Sequence, residues 1–375
     1  MAIAKTSEIS VLAHMISSGA ESRIELCNSL KLSKATATHV VTRLLKKGFI
    51  EEGAKFSNSG RGRKTTALRV RPGIAYFLGT DLEGTAVRAC LLDCQRNIIA
   101  SGKRAIGPEW SKPKITRQWI SLIENILQSS GIDRTKVVGL GVGLPGVISQ
   151  RDFSTRAFLP PGKWIDFDVN KALSTLGFKI TVANNVSCVS EYERQLGMAR
   201  GLENFISVLI RYGIGASIYS NGSLTTSDKM STGELGHMRL DMKGTQCICG
   251  RRGCLDVFAS GRTWKPQEFT TANALEKELK KRARFLGVGL ANLIKLCHLP
   301  LILINGIYNE YEDIVKPVLR QTLDDELTVL KLPAPEVVFA GPEELKTSIG
   351  AAMWAADFLE EYLKNHLFSQ NSNEA

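Results

Sequence analysis

Residues 233–261 read GELGHMRLDMKGTQCICGRRGCLDVFASG, and this stretch brings one histidine and three cysteines close together in the chain. Glycines that permit tight turns lie between the four residues. One imidazole and three thiolates form a closed tetrahedral zinc site with no coordination position left for catalysis. We therefore predict a structural Zn²⁺ ion; the alternative is a group of buried thiols beside a surface histidine. The predicted ligands are His237, Cys247, Cys249 and Cys254.

The composition of the whole chain is that of a globular protein. Its 375 residues are 43% hydrophobic and 23% charged, which predicts two or three domains with cores of their own. The other five cysteines are scattered among apolar residues, so we interpret them as small core residues. The chain has no run of about 18 apolar residues, as a membrane-spanning helix needs, and its first ten residues lack the apolar segment of a signal peptide. We expect a cytoplasmic protein with no membrane partner.

The positive charge is concentrated at one end of the chain. The protein has 48 basic and 37 acidic residues, which give a net charge of +11. Residues 1–72 contain 7 Lys, 6 Arg and 5 Glu, so this fifth of the chain has a net charge of +8. The other 303 residues contribute only +3. A small basic module attached to a nearly neutral body indicates a polyanionic partner.

The periodicity of the basic module predicts three helices, over residues 7–18, 22–30 and 33–48, followed by two strands at about 49–56 and 67–70. The third helix and the loop between the strands carry side chains that suit phosphates and base edges. The expected DNA contacts are Ser33, Lys34, Thr36, Thr38, His39 and Arg43 on the helix, and Arg61, Arg63 and Lys64 at the loop tip. We predict a winged helix-turn-helix DNA-binding domain over residues 1–72; the alternative is a three-helix protein-binding module followed by a solvated loop.

From residue 73 onward the pattern changes to strands. Residues 74–106 alternate apolar runs with two turns, which predicts three successive antiparallel strands. A helix over 115–129 and an apolar strand follow. A second round of paired strands begins at Asn204, and further helices and strands come after it. The body is therefore predicted to consist of two similar α/β lobes, each opening with a β-meander.

Several segments resemble the repressor branch of the ROK family, which comprises repressors, kinases and uncharacterised open reading frames. They are LSKATATHVVTRLLKKGFI (32–50), the tip GRGRK (60–64), GELGHMRL and CICGRRGCLDVFASG. The resemblance extends over essentially the whole chain. It implies an α/β protein with an N-terminal winged helix-turn-helix followed by a duplicated actin-like, ribonuclease-H-like ATPase fold of two lobes. It also implies a homodimer or a dimer of dimers, and a zinc ion that fixes a loop with sugar-contacting residues.

The resemblance also sets the expected domain boundaries. We expect a first lobe at 73–182 completed by a C-terminal helix at 349–364, a second lobe at 183–348, and a flexible tail at 365–375. The apolar segment ARFLGVGLANLIKLCHL, residues 283–299, is either the dimer surface or part of the buried core. The pattern of this segment favours the two interpretations equally.

Two departures from the family pattern bear on catalysis. ROK kinases use a phosphate loop resembling Asp-x-Gly-Gly-Thr, and residues 81–85 here read Asp-Leu-Glu-Gly-Thr. The glutamate puts a side chain and a negative charge where an anion would lie, which opposes ATP binding. The kinases have Asn-Asp where this chain has Asn184-Asn185, and an amide cannot act as the general base. We predict no ATP binding, no catalytic residue and no enzymatic activity; the rival hypothesis is a sugar kinase with a DNA-binding appendage.

Other sugar contacts of the family carry over to matching positions. They are Asn184, Asn185, Glu234, His237 and Asp256, the last of which stands where the family has Glu. Carboxylate, amide and imidazole groups bind adjacent hydroxyl groups, so a sugar or sugar phosphate is expected to bind without turnover. The alternative is a vestigial ligand site, with a protein partner controlling release from DNA.

These features predict a sequence-specific transcriptional regulator, in the commoner family mode a repressor of carbohydrate metabolism genes. Its partner would be a double-stranded, pseudopalindromic DNA operator with half-sites one helical turn, or a multiple of it, apart. A ligand can release DNA only if its affinity differs between the two arrangements of the dimer. A third class of protein, a zinc-stabilised interaction scaffold, would show no sequence-selective DNA binding.

Overall fold

The computed structural model describes most of the chain. The described residues are 2–19, 22–56, 65–84, 86–107, 109–149, 153–157, 164–225, 230–231, 233–342 and 344–368. The predicted loop tip with Arg61, Arg63 and Lys64 lies outside them. Within these ranges, none of the helices combines the length and the apolar character that crossing a membrane requires.

The N-terminal segment forms three helices followed by an antiparallel pair of strands. The elements are α1 (Ala2–Ser18), α2 (Arg23–Ser29), α3 (Lys34–Lys46), β1 (Ile50–Phe56) and β2 (Thr65–Val70). Local signals set the helix starts. The Ser22 side chain accepts a hydrogen bond from the backbone of Glu25, whose carboxylate accepts one from the backbone of Ser22. Ser33 caps α3, because its side chain accepts a hydrogen bond from the backbone N–H of Thr36. Three helices followed by two strands is the order that the sequence predicts.

The next part of the chain builds a five-stranded sheet. Its elements are β3 (Tyr76–Glu83), β4 (Ala86–Asp93), β5 (Ile98–Ala105), α4 (Lys112–Ser130), β6 (Val137–Leu144), β7 (Val147–Ser149), β8 (Ser154–Ala157), β9 (Trp164–Asp168), α5 (Val169–Leu173), β10 (Ile180–Asn184) and α6 (Asn185–Gln195). The strand order is β10-β6-β3-β4-β5. Strands β3 to β5 form an antiparallel meander, and β6 and β10 join beside β3 in parallel.

The remaining chain repeats this arrangement. Its elements are β11 (Phe205–Ile210), β12 (Ile214–Ser220), β13 (Ser223–Leu224), β14 (Met230–Ser231), α7 (Leu255–Ala259), α8 (Ala272–Cys297), β15 (Leu301–Gly306), α9 (Glu312–Thr328), β16 (Glu336–Phe339), α10 (Lys346–Trp354) and α11 (Leu359–Tyr362). The second sheet has the order β13-β12-β11-β15-β16, again a meander extended by two parallel strands. A small four-stranded sheet, β14-β7-β8-β9, is not hydrogen-bonded to either of them. The two similar halves that the sequence predicts are therefore confirmed.

Helix α8 contributes to the core of the second half. Its side chains Leu279, Leu286, Leu290 and Ile294 are fully buried, in the same cluster as the strands of the second sheet. Much of segment 283–299 is therefore core, which is one of the two interpretations that its pattern allows. The role of this helix in a dimer stays a prediction.

Helix α10 packs against β3, β6 and α6 at distances that only glycine permits. A Cβ atom at Gly79 would lie 1.9 Å from the carbonyl oxygen of Ser348, and one at Gly141 would lie 1.7 Å from that of Ala351. On the helix itself, a Cβ atom at Gly350 would lie 1.8 Å from the carbonyl oxygen of Cys188. The first seven residues of α10 are all buried. The helix is therefore held in one position between the first sheet and α6.

The N-terminal module and the body share one hydrophobic core. Leu12 of α1 and Leu44 of α3 are fully buried in the same cluster as Phe77 of β3 and Leu359 of α11. Close-packed side chains transmit a displacement on one side of a core to the other side. The module is therefore packed against the body over an apolar contact.

The C-terminal residues differ from the expectation of a flexible tail at 365–375. A helical turn, Leu363–Leu367, continues after α11, and Phe368 is only 4% exposed. Its ring centroid lies 5.5 Å from that of Phe49. The aromatic side chain of Phe368 therefore belongs to the core that the module shares with the body. The helix expected at 349–364 is likewise interrupted, since α10 ends at Trp354. Residues 369–375 lie outside the described part of the chain.

Replacing Gly141 by alanine should lower the free energy of unfolding by about 2 kcal/mol or more, since the added methyl group would collide with the backbone of α10. Gly341→Ala is the matched control, because a Cβ atom there has no neighbour within 4 Å. Urea unfolding followed by circular dichroism gives both values. Equal stability of the two variants would contradict the close packing of α10.

Candidate functional site

His237 and three cysteines converge beside α7. His237 ends a short helical turn, and Cys254 immediately precedes α7. The Nδ1 atom of His237 lies 3.6 Å from the Sγ of Cys247, and the sulfur atoms of Cys249 and Cys254 lie 3.7 Å apart. A tetrahedral site with ordinary Zn–N and Zn–S bonds has edges of about 3.6 Å and about 3.8 Å. All four ligand atoms lie within 4.8 Å of one another, so the donor set and its spacing fit one Zn²⁺ ion.

The loop reaches this arrangement through backbone turns. Gly253 has a φ of +67°, and a Cβ atom there would lie 1.5 Å from the carbonyl oxygen of Asp241, so only glycine fits. The backbone N–H of Cys247 donates a hydrogen bond to the carbonyl oxygen of Arg251 at 2.7 Å and closes a tight turn. A bound metal ion adds a cross-link to such a loop and stabilises its fold.

A cavity of about 150 Å³ lies beside the cluster of His237 and the three cysteines. Its walls are the turn after β6, the start of α6, the turn between β11 and β12, and the loop that leads to the cluster. All the residues that the resemblance predicts as sugar contacts line it: Asn184, Asn185, Glu234, His237 and Asp256. The fold thus brings together side chains from distant parts of the chain at one cavity.

The two asparagines differ in their freedom to bind a ligand. The Oδ1 atom of Asn184 accepts a hydrogen bond from the backbone N–H of Val186 at 2.9 Å, and its Nδ2 donates to the carbonyl oxygen of Gly146 at 2.6 Å. Asn184 is therefore the N-cap of α6. Asn185 is 8% exposed, and among the described residues its amide has no hydrogen-bond partner. A ligand hydroxyl group can satisfy the amide of Asn185, whereas Asn184 mainly holds the helix.

Two carboxylates, those of Glu234 and Asp256, lie on the side of the cavity next to His237 and the three cysteines. His237 directs Nδ1 at the cysteines, and its Nε2 lies 3.7 Å from the carboxylate of Glu234. Burial raises the pKa of Glu234; His237 opposes this effect and Asp256 adds to it. Asp256 is 3% exposed and accepts a hydrogen bond from Arg262 at 2.9 Å. Sequence reasoning missed Arg262, since an arginine six residues after an aspartate has no distinctive pattern.

An ion pair bounds the cavity at the end of β3. The carboxylate of Glu83, which is 7% exposed, lies 2.7 Å from the guanidinium group of Arg211, which follows β11. Arg211 also donates to Oγ1 of Thr347 on α10 at 3.0 Å. Burial lowers the pKa of Arg211, but Glu83 and Asp81 outweigh this effect, so the pKa lies above its ordinary value. Sequence reasoning identified Glu83 as a departure from the phosphate loop and missed its partner, which lies 128 residues away.

Asp81, the first residue of the segment that corresponds to the phosphate loop, is also hydrogen-bonded. Asp81 is fully buried, and its carboxylate accepts hydrogen bonds from Arg88 at 3.0 Å and from Ser348 at 2.6 Å. Burial raises the pKa of Asp81, while Arg88 and Arg211 oppose that effect. The carboxylate is therefore committed to structural contacts.

The predicted DNA contacts on α3 fall into two groups. Five of them are exposed in the structure: Ser33, Lys34, Thr36, Thr38 and His39. Arg43 differs, because its Nε lies 2.5 Å from the carboxylate of the buried Glu8 on α1. Lys47 pairs with the same carboxylate at 2.7 Å. Arg43 therefore holds α3 against α1 and is less available to DNA than its position in the sequence indicates.

Comparison with known families matches residues 77–358 to the ROK family. The chain belongs to the ROK family. The matched segment runs from β3 to the turn before α11, so it includes the two five-stranded sheets, the cluster of His237 and the three cysteines, and the cavity. The three N-terminal helices and the strand pair precede it.

Two curated relatives are regulators by name. The chain is 27% identical to a putative xylose repressor from Caldicellulosiruptor sp. (strain Rt8B.4), over 64% of this chain and 60% of that protein. It therefore spans less than two thirds of that relative. It is 26% identical to the xylose repressor of Bacillus subtilis (strain 168), over 79% of this chain and 73% of the relative.

Two solved structures share the fold. A ROK family transcriptional regulator, a homologue of the E. coli Mlc protein, has a TM-score of 0.74 and 22% identity, over 96% of this chain and 98% of that one. A ROK hexokinase from Thermus thermophilus has a TM-score of 0.62 and 23% identity, over 76% of this chain and 99% of the hexokinase. At these identities the likeness shows the fold alone.

Replacing Cys249 by serine should abolish zinc binding, because a serine hydroxyl is a poor substitute for a thiolate ligand. The wild-type protein should contain about one zinc ion per chain. Cys297→Ser is the matched control, because Cys297 lies on α8 and its thiol donates to the carbonyl oxygen of Leu293. Elemental analysis by mass spectrometry measures the metal content. A zinc-free wild type, or a Cys249→Ser variant with full zinc content, would contradict the assignment.

Proposed function

We propose that this chain is a DNA-binding transcriptional repressor of carbohydrate metabolism genes, regulated by a sugar bound in a non-catalytic, kinase-like cleft. The observation that carries the proposal is the exposed face of α3, with Lys34 and His39, on a basic module that precedes the ROK match. The names of the two xylose repressors support the same function. As a DNA-binding regulator, the protein would act in the cytoplasm.

The N-terminal module has the features of a winged helix-turn-helix. Helix α3 would enter the major groove, with Ser33, Lys34, Thr36, Thr38 and His39 facing the DNA. Strands β1 and β2 would form the wing, and Arg61, Arg63 and Lys64 would contact phosphates or a minor groove at its tip. The proposed domain covers residues 1–72, whose net charge of +8 suits a polyanion.

The cleft supports binding without catalysis. Asn185 has no basicity with which to accept the proton of a sugar hydroxyl group. Glu83 and Arg211 form an ion pair at the phosphate loop, and Asp81 is bound by Arg88 and Ser348. Phosphoryl transfer depends on positioned phosphates and on stabilisation of their charge, and the ion pairs of Glu83 and Asp81 would oppose both.

A structural Zn²⁺ ion, held by His237, Cys247, Cys249 and Cys254, would stabilise the loop on which Glu234 and Asp256 border the cavity. Asn185, Glu234, His237 and Asp256 would bind the sugar, with Asn184 holding α6. Nδ1 of His237 would bind the metal, which leaves Nε2 for the ligand side.

The regulator would act as a homodimer or a dimer of dimers. Two modules on a two-fold axis read a pseudopalindromic operator whose half-sites are one helical turn, or a multiple of it, apart. Residues 73–182 with the C-terminal helices would form one lobe, and 183–348 the other. Sugar binding would change the relative position of the modules, and the core that they share with the body supports such coupling.

Selection of random duplex DNA by the purified, zinc-loaded protein should enrich an inverted repeat, because a dimer presents two copies of α3. Sequencing of the bound pool at moderate salt measures this. A pool that stays random would contradict sequence-specific binding and leave the module as a non-specific or protein-binding unit.

On the enriched sequence, Lys34→Ala should weaken DNA binding. The negative slope of log K against log salt should become shallower by about 0.9, because one phosphate contact is lost. Lys277→Ala, which removes an exposed lysine on α8, is the matched control and should leave the slope unchanged. Electrophoretic mobility shifts over a range of salt concentrations give both slopes. Equal slopes for the two variants would exclude Lys34 as a phosphate contact.

The wild-type protein and the Asn185→Asp variant should both lack ATP-dependent sugar phosphorylation. The variant regains a candidate base but keeps the ion pair at the phosphate loop, so it gains no phosphate-binding site. A coupled assay for ADP release, with glucose, xylose and N-acetylglucosamine as substrates, measures the rate. Turnover by the wild type would replace this proposal with the sugar-kinase hypothesis, and turnover by the variant alone would show that the phosphate site is intact.

A further inference from the structure

The Glu83–Arg211 pair lies between two cavities. Glu83 lines the cavity of about 150 Å³ that holds the candidate sugar contacts. Arg211 lines a second cavity of about 330 Å³, which also contains Lys346 and Asn305. Leu209 borders both cavities. The ion pair therefore forms part of the wall that divides the cleft.

The sugar-side cavity is unfavourable for a phosphate group. Three carboxylates line it, those of Glu83, Glu234 and Asp256. Among the described residues that line it there is no lysine or arginine. Phosphate recognition relies on such cations, and a phosphate placed among carboxylates is repelled.

The nearby cations are already paired. Arg211 binds Glu83 and Thr347, and Arg262 binds Asp256. A phosphate that captured Arg211 would have to displace the Glu83 carboxylate and leave it buried without a partner, which is unfavourable. The backbone at the start of α6 gives little compensation, because Asn184 already caps it.

The other cation of the second cavity, Lys346, is also paired. The Nζ atom of Lys346 lies 2.6 Å from the carboxylate of Glu193 and 2.9 Å from Oδ1 of Asn305. Lys346 is 5% exposed. Neither Arg211 nor Lys346 is therefore available to a ligand phosphate that reaches across the dividing wall.

We propose that the Glu83–Arg211 pair makes this cleft selective for unphosphorylated sugars, with Glu83 as the residue that excludes their phosphate esters. This inference rests on the proposed sugar-binding role of the cavity. It narrows the effector from a sugar or sugar phosphate to an uncharged sugar. It also assigns Arg211 a positioning role, since its bonds to Glu83 and Thr347 hold the excluding carboxylate in place.

Isothermal titration calorimetry on the full-length, zinc-loaded protein tests the inference. The probes are D-glucose, N-acetyl-D-glucosamine and D-xylose, each paired with its terminal phosphate ester. For the pair whose parent sugar binds most tightly, the ester should bind at least 100-fold more weakly. An ester that binds as tightly as its parent sugar would overturn the proposal, and this comparison needs no variant.

Variants test the role of Glu83 itself. Glu83→Gln should reduce the ratio of sugar affinity to ester affinity at least tenfold, because the repelling charge is lost and Arg211 is released. In the Glu83→Gln variant, the additional substitution Arg211→Gln should weaken ester binding again, because it removes the released guanidinium group. Glu124→Gln is the matched control, because Glu124 pairs with Arg134 and lines neither of the two cavities. A ratio that responds equally to Glu83→Gln and Glu124→Gln would overturn the assignment to Glu83.

Parallel mobility shifts on the selected operator separate this inference from the proposed function. If the protein binds operator and an ester releases it better than the parent sugar does, the repressor proposal stands and the selectivity inference fails. If the protein binds operator but neither member of any pair binds or releases it, the sugar-effector part of the proposed function fails, and the inference fails with it.

Discussion

The position of α10 is the constraint on which the rest of the structure depends. Its backbone meets β3 at Gly79 and β6 at Gly141, so the helix cannot shift along the sheet without a steric conflict. From this fixed position Thr347 binds Arg211 of the second half of the body. Ser348 donates a hydrogen bond to the carboxylate of Asp81 near the end of β3. One helix therefore determines how the two halves face each other across the cavity, and the ion pair between them follows from that geometry.

The same constraint extends to the N-terminal module. The chain after α10 continues through α11 to Phe368, which packs in the core shared with α1 and α3. Helix α6 begins at the cavity and ends beside the C-terminus of α1, where Arg96 donates hydrogen bonds to the carbonyl oxygens of Ile16 and Ser17 at 3.4 and 2.5 Å. Helix α6, which starts at the cavity, therefore comes close to the module at its other end. In the proposed function, such a close-packed arrangement would convert a small displacement at the cavity into a change in the orientation of α3.

Features that depend on neighbouring residues could be predicted from the sequence. The cluster of His237 with three cysteines, the cap at Ser33 and the two meanders all follow from short-range spacing or hydrophobic periodicity. Features that depend on particular distant pairs could not, because periodicity indicates which face of an element is buried but not which side chain it meets. The link from Arg211 to Glu83 and the link from Arg43 to Glu8 are of this second kind. The N-cap role of Asn184 was likewise hidden, since the family pattern indicates a ligand contact and the local hydrogen bonds indicate a helix start.

The proposed absence of phosphoryl transfer would be a property of the cleft as a whole. The side chain of Glu83 is 7% exposed and that of Arg211 is 22% exposed, so a glycine at position 83 would leave a largely buried guanidinium group without its carboxylate, which is unfavourable. Asn185 is different, because its side-chain amide has no hydrogen-bond partner among the described residues, and its replacement breaks no side-chain hydrogen bond within them. One substitution therefore introduces a candidate base, whereas a phosphate site would require rearrangement of the Glu83–Arg211 pair. In the proposed function, sugar binding would use the amide, imidazole and carboxylate groups that already border the cavity, so recognition could persist without catalysis.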